Sequence, residues 1–169
     1  YGQMGLEDTI ATELPVAVAT LGSASSVASD IHSCALSEGE VWCWGANAYG
    51  QLGDGTKTHR AEPVRAMDLS DVVEVKVRGY STCARKGDNT LWCWGSAVGG
   101  LLGDGTKASP STPTQVVEVP NVSSFALGQR HSCLLTPTQL KCWGYNGNGQ
   151  LGDNSTTNRH TPVEVLNWP

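Results

Sequence analysis

Apolar and polar side chains alternate along short runs of this chain, and turn-forming residues separate the runs. Alternation with a period of two is typical of strands with one buried face, whereas helical spacing never persists for the roughly eleven residues that a helix assignment needs. The pattern therefore predicts an all-β fold. We expect four strands in each unit: one after a proline (15–21, 63–69 and 113–119), one at 72–79 and its equivalents, and a hairpin, which in the first unit is 33–37 with 40–45.

The alternating runs belong to a unit that recurs along the chain. Trp-Gly pairs begin at Trp44, Trp94 and Trp143, which are 50 and 49 positions apart. A second glycine recurs at nearly the same interval, always ten positions before a proline: Gly5, Gly53, Gly103 and Gly152. Periods of about 20 to 50 residues indicate solenoids, propellers or arrays, in which one unit cannot bury its apolar face without a neighbour.

Residues 1–169 therefore form one repeat array. Division at the prolines gives the end of a preceding repeat at 1–14, full units at 15–62, 63–112 and 113–161, and the first strand of a further unit at 162–169. Tyr1 falls inside a repeat, because YGQMGLEDT aligns with YGQLGDGTK from Tyr49. We therefore expect a leader and further repeats upstream. The alternative is a short natural chain that assembles with copies of itself.

The cysteines provide a test of the predicted hairpins. If Glu38 and Gly39 form a two-residue loop, Cys34 lies directly opposite Cys43. A two-residue loop at 137–138 and a three-residue loop at 87–89 bring the other cysteines into the same register. Directly opposed residues at a non-hydrogen-bonded antiparallel site have Cα atoms about 4.5 Å apart, within reach of a disulfide. We predict three disulfides: Cys34–Cys43, Cys83–Cys93 and Cys133–Cys142.

Three disulfides would indicate an oxidising compartment, so the predicted location is secreted or cell-surface, with the periplasm as a further option. Each bridge would stabilise the fold by roughly 2.5 to 3 kcal/mol. Metal binding by the cysteines is the competing interpretation. It is disfavoured because no Cys-x-x-Cys spacing occurs, and sulfurs of different units should lie too far apart for one tetrahedral site.

Two sets of tryptophans occupy defined positions of the hairpin strand. Trp44, Trp94 and Trp143 occur in all three units, and we expect their rings to pack between adjacent units. Trp42 and Trp92 are matched by Lys141 in the third unit, so this position should be partly exposed. A pair of exposed tryptophans on neighbouring units is a possible ligand platform.

The repeated landmarks resemble the regulator of chromosome condensation repeat family. The family carries a His-Ser-x-Ala-Leu strand, here 32–36, followed by Trp-Gly-x-Asn-x-x-Gly-Gln-Leu-Gly, here 44–53. The third unit repeats the pattern from His131, whereas the second has Ser81, Ala97 and Leu101 in place of the histidine, asparagine and glutamine. The resemblance implies a β-propeller of four-stranded antiparallel blades, commonly seven. About three blades are present, so the chain should be a partial ring that further chain or partner chains complete.

Charge and composition narrow the function classes. The net charge is −5 and the 11 basic residues are scattered, which argues against nucleic acid and anionic membranes as partners. The apolar runs are too short for a membrane span. Asp30, His32 and Ser33 include the residue types of a hydrolase triad, but alternate strand positions point to opposite faces and do not converge. Asp54, Asp104 and Asp153 supply one carboxylate a loop, which favours turn formation over a calcium site.

We predict a noncatalytic extracellular binding, adhesion or assembly module, with no catalytic residue, cofactor or metal. A protein partner or self-assembly would use the variable loops at 57–62, 107–112 and 156–161. Two alternatives remain open: a secreted carbohydrate-binding or enzyme-inhibitor propeller, and an enzyme with a site in the central channel. Fold resemblance alone does not choose between them.

Overall fold

The structure, a computed structural model, describes residues 17–18, 21–117 and 119–168. Its strands form three four-stranded antiparallel sheets, each with neighbouring strands in chain order. A single 3₁₀ turn, Val98–Gly100, accompanies them in these residues. Sheet 1 contains β1 (Ala24–Ser29), β2 (His32–Ser37), β3 (Glu40–Gly45) and β4 (Arg60–Arg65); sheet 2 contains β5 (Val72–Arg78), β6 (Ser81–Lys86), β7 (Leu91–Gly95) and β8 (Thr114–Gln115); sheet 3 contains β9 (Ser124–Leu127), β10 (His131–Leu135), β11 (Leu140–Gly144) and β12 (Arg159–Glu164).

The central hairpin of each sheet has the predicted register. Ser37 pairs with Glu40 across a two-residue loop, whose members Glu38 and Gly39 both have positive φ, as a tight hairpin turn requires. The opposed cysteines have Cα atoms 4.1, 4.1 and 4.0 Å apart in sheets 1, 2 and 3. All three predicted disulfides are confirmed: Cys34–Cys43, Cys83–Cys93 and Cys133–Cys142.

The position of the fourth strand in each sheet shows that the predicted division of the chain into units at the prolines is wrong. Strand β4, which contains Pro63, pairs with β3 through Cys43 and Val64, and β12, which contains Pro162, pairs with β11 in the same way. The proline strands therefore close the preceding sheet instead of opening the next one, and the sheets span 24–65, 72–115 and 124–164. Residues 162–169 accordingly do not begin a further blade. The expected repeat end at 1–14 and most of the strand expected at 15–21 lie outside the described residues.

A folded loop explains why the proline strand turns back. Asn47, directly after β3, is buried, and its Nδ2 donates to the carbonyl oxygen of Thr58 at 3.0 Å. Its Oδ1 accepts from the backbone N–H of Leu52, also at 3.0 Å. These bonds fold residues 47–58 into a compact loop, so the chain re-enters antiparallel to the strand it left. Asn146 makes the equivalent bond to Leu151 in the third sheet.

The sheets stack face to face through tryptophan. The indole of Trp94, which is 0% exposed, donates to the carbonyl oxygen of Gln51 in the preceding unit at 2.9 Å, and Trp143 donates to that of Leu101 at 2.8 Å. A Cβ on Gly103 would lie 2.8 Å from Nε1 of Trp143, and φ at this glycine is +70°, so only glycine fits the corner. The predicted packing of Trp94 and Trp143 between units is confirmed.

Candidate binding surface

One end of the array carries an open cavity of about 320 Å³. The turns between the first two strands of sheets 2 and 3 border it, together with the loops that leave β3 and β7. Three successive units therefore contribute to it. We call it the tyrosine–arginine cavity after its large lining side chains: Tyr49, Arg78, Tyr80, Val98, Gln129 and Arg130.

Two tyrosines from adjacent units form one wall of this cavity. Tyr80 occupies the β5–β6 turn, and the N–H of the preceding residue, Gly79, donates to Oδ2 of Asp30 at 3.0 Å, which ties this turn to sheet 1. The backbone N–H of Tyr49 donates to Oε1 of the buried Gln51 at 3.0 Å, which fixes the loop after β3. The two rings lie 4.7 Å apart at 49°. Tyr49 and Tyr80 are 41% and 48% exposed.

Two arginines lie on the same cavity. The guanidinium of Arg78 is 3.7 Å from Oδ2 of Asp30, and its side chain is 50% exposed. Arg130 places its guanidinium 5.7 Å from the ring centre of Tyr145, whose backbone N–H donates to the Arg130 carbonyl oxygen at 2.7 Å. Within the described part of the chain Arg130 has no ion-pair partner, and no aspartate or glutamate lines the cavity. The cavity therefore combines exposed aromatic surface with positive charge.

Asp30, His32 and Ser33, the residue types of a hydrolase triad, each contact a different partner and do not converge, as expected from strand alternation. Nε2 of His32 lies 2.7 Å from Oγ1 of Thr82 in sheet 2, and Thr82 in turn donates to the carbonyl oxygen of Gln51 at 2.7 Å. Asp30 accepts from sheet 2, and the Ser33 hydroxyl faces that of Ser29 at 3.4 Å. His32 thus links two sheets. Its burial lowers its pKa from 6.5 to about 4, against the opposing electrostatic effect of Asp30.

The repeated aspartates form turns, as predicted. Each accepts a hydrogen bond from the backbone N–H two residues later, at 3.0 Å for Asp54, 2.9 Å for Asp104 and 3.1 Å for Asp153. Burial raises the pKa of Asp54, but hydrogen bonds from Thr56 and Arg60 outweigh it, so the pKa lies below 3.8. The described residues contain no group of three or more His, Cys, Asp or Glu side chains arranged to hold a metal ion.

The structure does not bring Trp42 and Trp92 together. Trp92 packs against the core between sheets 1 and 2, and its Nε1 donates to Oγ1 of Thr90 at 3.0 Å. Val41 and Cys43 of β3 belong to that core, so Trp42, which alternates with them, lies on the opposite face of sheet 1. Sheet 1 thus separates the two half-buried rings. Whether either ring binds a ligand stays a prediction.

The variable loops have two roles. The carbonyl oxygen of Ser111 accepts from the N–H of Gly55, and that of His160 accepts from the N–H of Gly105, both at 2.9 Å. The later residues of the loops at 107–112 and 156–161 therefore join successive units. Their earlier residues, such as Lys107 and Thr156, are exposed.

The family of this chain follows from a comparison with known repeats. A family model of the regulator of chromosome condensation (RCC1) repeat matches residues 38–84 and 88–135, which are more than half of the sequence, and a second model of the repeat matches residues 122–150. The chain belongs to the RCC1 repeat family. Solved structures with this fold include human WBSCR16, with a TM-score of 0.80 and 24% identity over 97% of this chain and 46% of that one.

Two structures of the RCC1 protein of yeast are also similar. Prp20p of Saccharomyces cerevisiae, described with its binding to Gsp1p and histones, has a TM-score of 0.75 and 20% identity over 85% of this chain and 38% of that one. Yeast RCC1 bound to Kap60 has a TM-score of 0.73 and 24% identity over 86% and 38%. This chain thus spans less than half the length of these relatives. The predicted fold, a partial β-propeller of three four-stranded blades, is confirmed.

No helical segment in the described ranges has the length and hydropathy that crossing a membrane requires.

Proposed function

We propose that this chain is a noncatalytic protein-binding module that works in an oxidising compartment outside the cytoplasm and contacts its partner through the tyrosine–arginine cavity. The observation that carries the proposal is the cavity itself, where three units present two exposed tyrosines and two arginines. Yeast relatives with the same propeller fold bind proteins, namely Gsp1p, histones and Kap60. That precedent supports protein binding as the class of function.

The composition of the cavity supports a protein partner. Tyrosine and arginine are enriched at protein interfaces and among the residues that contribute most to affinity. Tyr49, Tyr80 and Val98 are 41%, 48% and 63% exposed, although they lie next to well-packed loops. A rigid backbone support reduces the conformational entropy lost on binding, and each tyrosine has only two side-chain torsions to order. The surface is thus organised before a partner arrives.

The disulfides support the proposal that the protein works in an oxidising compartment. All six cysteines are paired within hairpins, and each of them except Cys133 is no more than 3% exposed. Buried structural disulfides persist in oxidising environments and are rare where thiols are kept reduced. Secretion, display on the cell surface and export to a periplasm all satisfy this condition.

A capture experiment tests the proposal. The purified, oxidised chain is immobilised and incubated with the extracytoplasmic proteins of its source, and bound proteins are quantified by mass spectrometry. Val98→Asp places a charge in the cavity, while Val73→Asp makes the same change at the opposite end of β5, where Val73 is 50% exposed.

We expect at least one protein that the wild type and Val73→Asp capture equally and that Val98→Asp captures at least tenfold less. Equal capture by both variants would contradict the proposed surface. Turnover of a substrate panel that persists through high purification would contradict a noncatalytic role.

A further inference from the structure

We infer that the tyrosine–arginine cavity receives an acidic segment of the partner protein, with carboxylates bound by Arg78 and Arg130 and a neighbouring apolar side chain seated on Tyr49 and Tyr80. This inference rests on the proposed function and names the chemistry of the partner. It draws on the charge, the aromatic geometry and the size of the cavity.

Charge gives the first argument. The whole chain carries a net charge of −5, so an acidic partner is repelled at long range unless a local positive region offsets the repulsion. The cavity is such a region, because two arginines and no acidic side chain line it. One terminal nitrogen of Arg78 lies 3.7 Å from Oδ2 of Asp30, which also accepts from the N–H of Gly79. Arg78 therefore retains donors for a second carboxylate.

The geometry of Arg130 gives the second argument. Its guanidinium lies over the ring of Tyr145 at 5.7 Å, and this cation–π contact favours one orientation of an otherwise exposed side chain. A planar guanidinium binds a carboxylate through two parallel N–H···O bonds, and pre-orientation lowers the entropy lost when they form. No carboxylate of the described residues makes an ion pair with this guanidinium. An incoming acidic side chain would satisfy it.

The size and the aromatic wall give the third argument. A volume of about 320 Å³ can hold one or two side chains, but not a folded element. The rings of Tyr49 and Tyr80, inclined at 49°, line the cavity together with Val98 and supply its apolar surface. The chemistry of the cavity thus matches an extended segment in which an aromatic or aliphatic residue adjoins glutamate or aspartate.

The opposite end of sheet 2 provides a contrast within the molecule. A cavity of about 440 Å³ there is lined by Asp71 and Asp88, with Lys86 as its one cationic side chain. Lys86 already pairs with Asp88 at 3.7 Å. An acidic segment should therefore select the tyrosine–arginine cavity.

Peptide binding tests the inference directly. The probes are three capped, fluorescein-labelled peptides: one with glutamates around a single phenylalanine, one with glutamines in their place, and one with the phenylalanine replaced by glycine. Fluorescence polarisation measures their affinity for the oxidised protein at low and high ionic strength. Arg130→Gln and Arg78→Gln remove the proposed contacts. Arg65→Gln is the matched control, because Arg65 is 55% exposed on β4 and pairs with Glu40 away from the cavity.

We expect the glutamate–phenylalanine peptide to bind best, and each cavity variant to weaken it about tenfold, equivalent to about 1.4 kcal/mol, with no change for Arg65→Gln. High ionic strength should weaken binding to the wild type. Equal affinity for the glutamate and glutamine peptides would overturn the inference, as would arginine-dependent binding of a sulfated oligosaccharide without binding of the acidic peptide. Circular dichroism and thiol counting establish that the variants are folded.

The capture experiment separates this inference from the proposed function. If Val98→Asp loses the partner while the Arg78→Gln/Arg130→Gln double variant retains it, the cavity binds protein but not through acidic chemistry, and only the inference fails. If both variants retain the partner, both proposals fail. If both variants lose the partner and Arg65→Gln keeps it, both proposals are supported.

Discussion

Acidification should weaken the contact between the first two sheets through His32. The imidazole is 0% exposed and lies 2.7 Å from the hydroxyl of Thr82 on the neighbouring sheet. Its pKa falls from 6.5 to about 4 on folding, chiefly because burial disfavours the charged ring. The unfolded chain therefore binds more protons than the folded chain between pH 4 and 6.5, so the free energy of unfolding decreases as the pH falls through this window.

The size of the effect follows from the shift. Each pKa unit corresponds to about 1.4 kcal/mol, so the full shift amounts to about 3 kcal/mol, with a slope approaching 1.4 kcal/mol per pH unit inside the window. Above pH 6.5 the neutral ring predominates in both states, and His32 contributes no pH dependence. Asp54 and Asp153 have pKa values below their ordinary value of 3.8, and Glu74 has one below 4.5. The stability that these carboxylates add is present above their ordinary pKa values and is lost as the pH falls below them.

Urea unfolding of the oxidised protein from pH 7.5 down to about 4.5 would measure the slope. His32→Gln should flatten it, because the variant removes the group whose pKa changes on folding. NMR titration of the His32 ring in the folded wild type gives an independent reading that does not require the variant to fold. A ring that titrates near 6.5 in the folded protein, or an unchanged slope in a folded His32→Gln variant, would refute the reasoning.

Three further perturbations test the packing. Replacing Cys34 and Cys43 together by alanine should lower the free energy of unfolding in urea by about 3 kcal/mol, and a loss below 1 kcal/mol would contradict a structural role for the bridge. Gly103→Ala should lower the free energy of unfolding by about 1 to 3 kcal/mol, because it combines a positive φ with a clash at 2.8 Å. Gly87→Ala is the control: the atom nearest to its added Cβ lies at 3.6 Å, so thermal unfolding should be nearly unchanged. Asn47→Ala should lower the free energy of unfolding by about 2 kcal/mol or more and accelerate backbone hydrogen exchange at residues 52–58. Unchanged exchange would show that the side-chain amide of Asn47 does not organise the loop.

The hairpins could be predicted from the sequence because their determinants are local. Loop length and alternation fix which residues face each other, so the opposed cysteines follow from counting alone. The partner of the proline strand could not be predicted in this way, because that strand lies between two hairpins. The buried Asn47 and Asn146 brace the loop that reverses the chain in sheets 1 and 3, but β8 pairs with β7 although Ala97 replaces the asparagine there, so the reversal belongs to the loop as a whole. The sequence shows this asparagine as a landmark of the first and third units, but it does not show the contacts of its side chain.

The candidate surface was harder to predict than the fold. Its residues come from three units and differ between them: Tyr80 and Arg130 occupy corresponding turns, as do Tyr49 and Val98 in the following loops. A search for repeated residues overlooks such positions. The variable loops that the sequence indicates as contact regions, at 57–62, 107–112 and 156–161, contribute no residue to the cavity. Trp42 and Trp92 are large and repeated, which favours a shared platform in the sequence, yet sheet 1 separates them in the fold.

Site-specific photocrosslinking tests the central claim that the tyrosine–arginine cavity is the binding surface. Benzoylphenylalanine is introduced at Val98, which is 63% exposed on the cavity, or at Val73, which is 50% exposed at the other end of sheet 2. After irradiation with the captured partner, peptide mapping should show a covalent adduct from position 98 to an acidic segment and none from position 73. An adduct from position 73 alone would contradict the account.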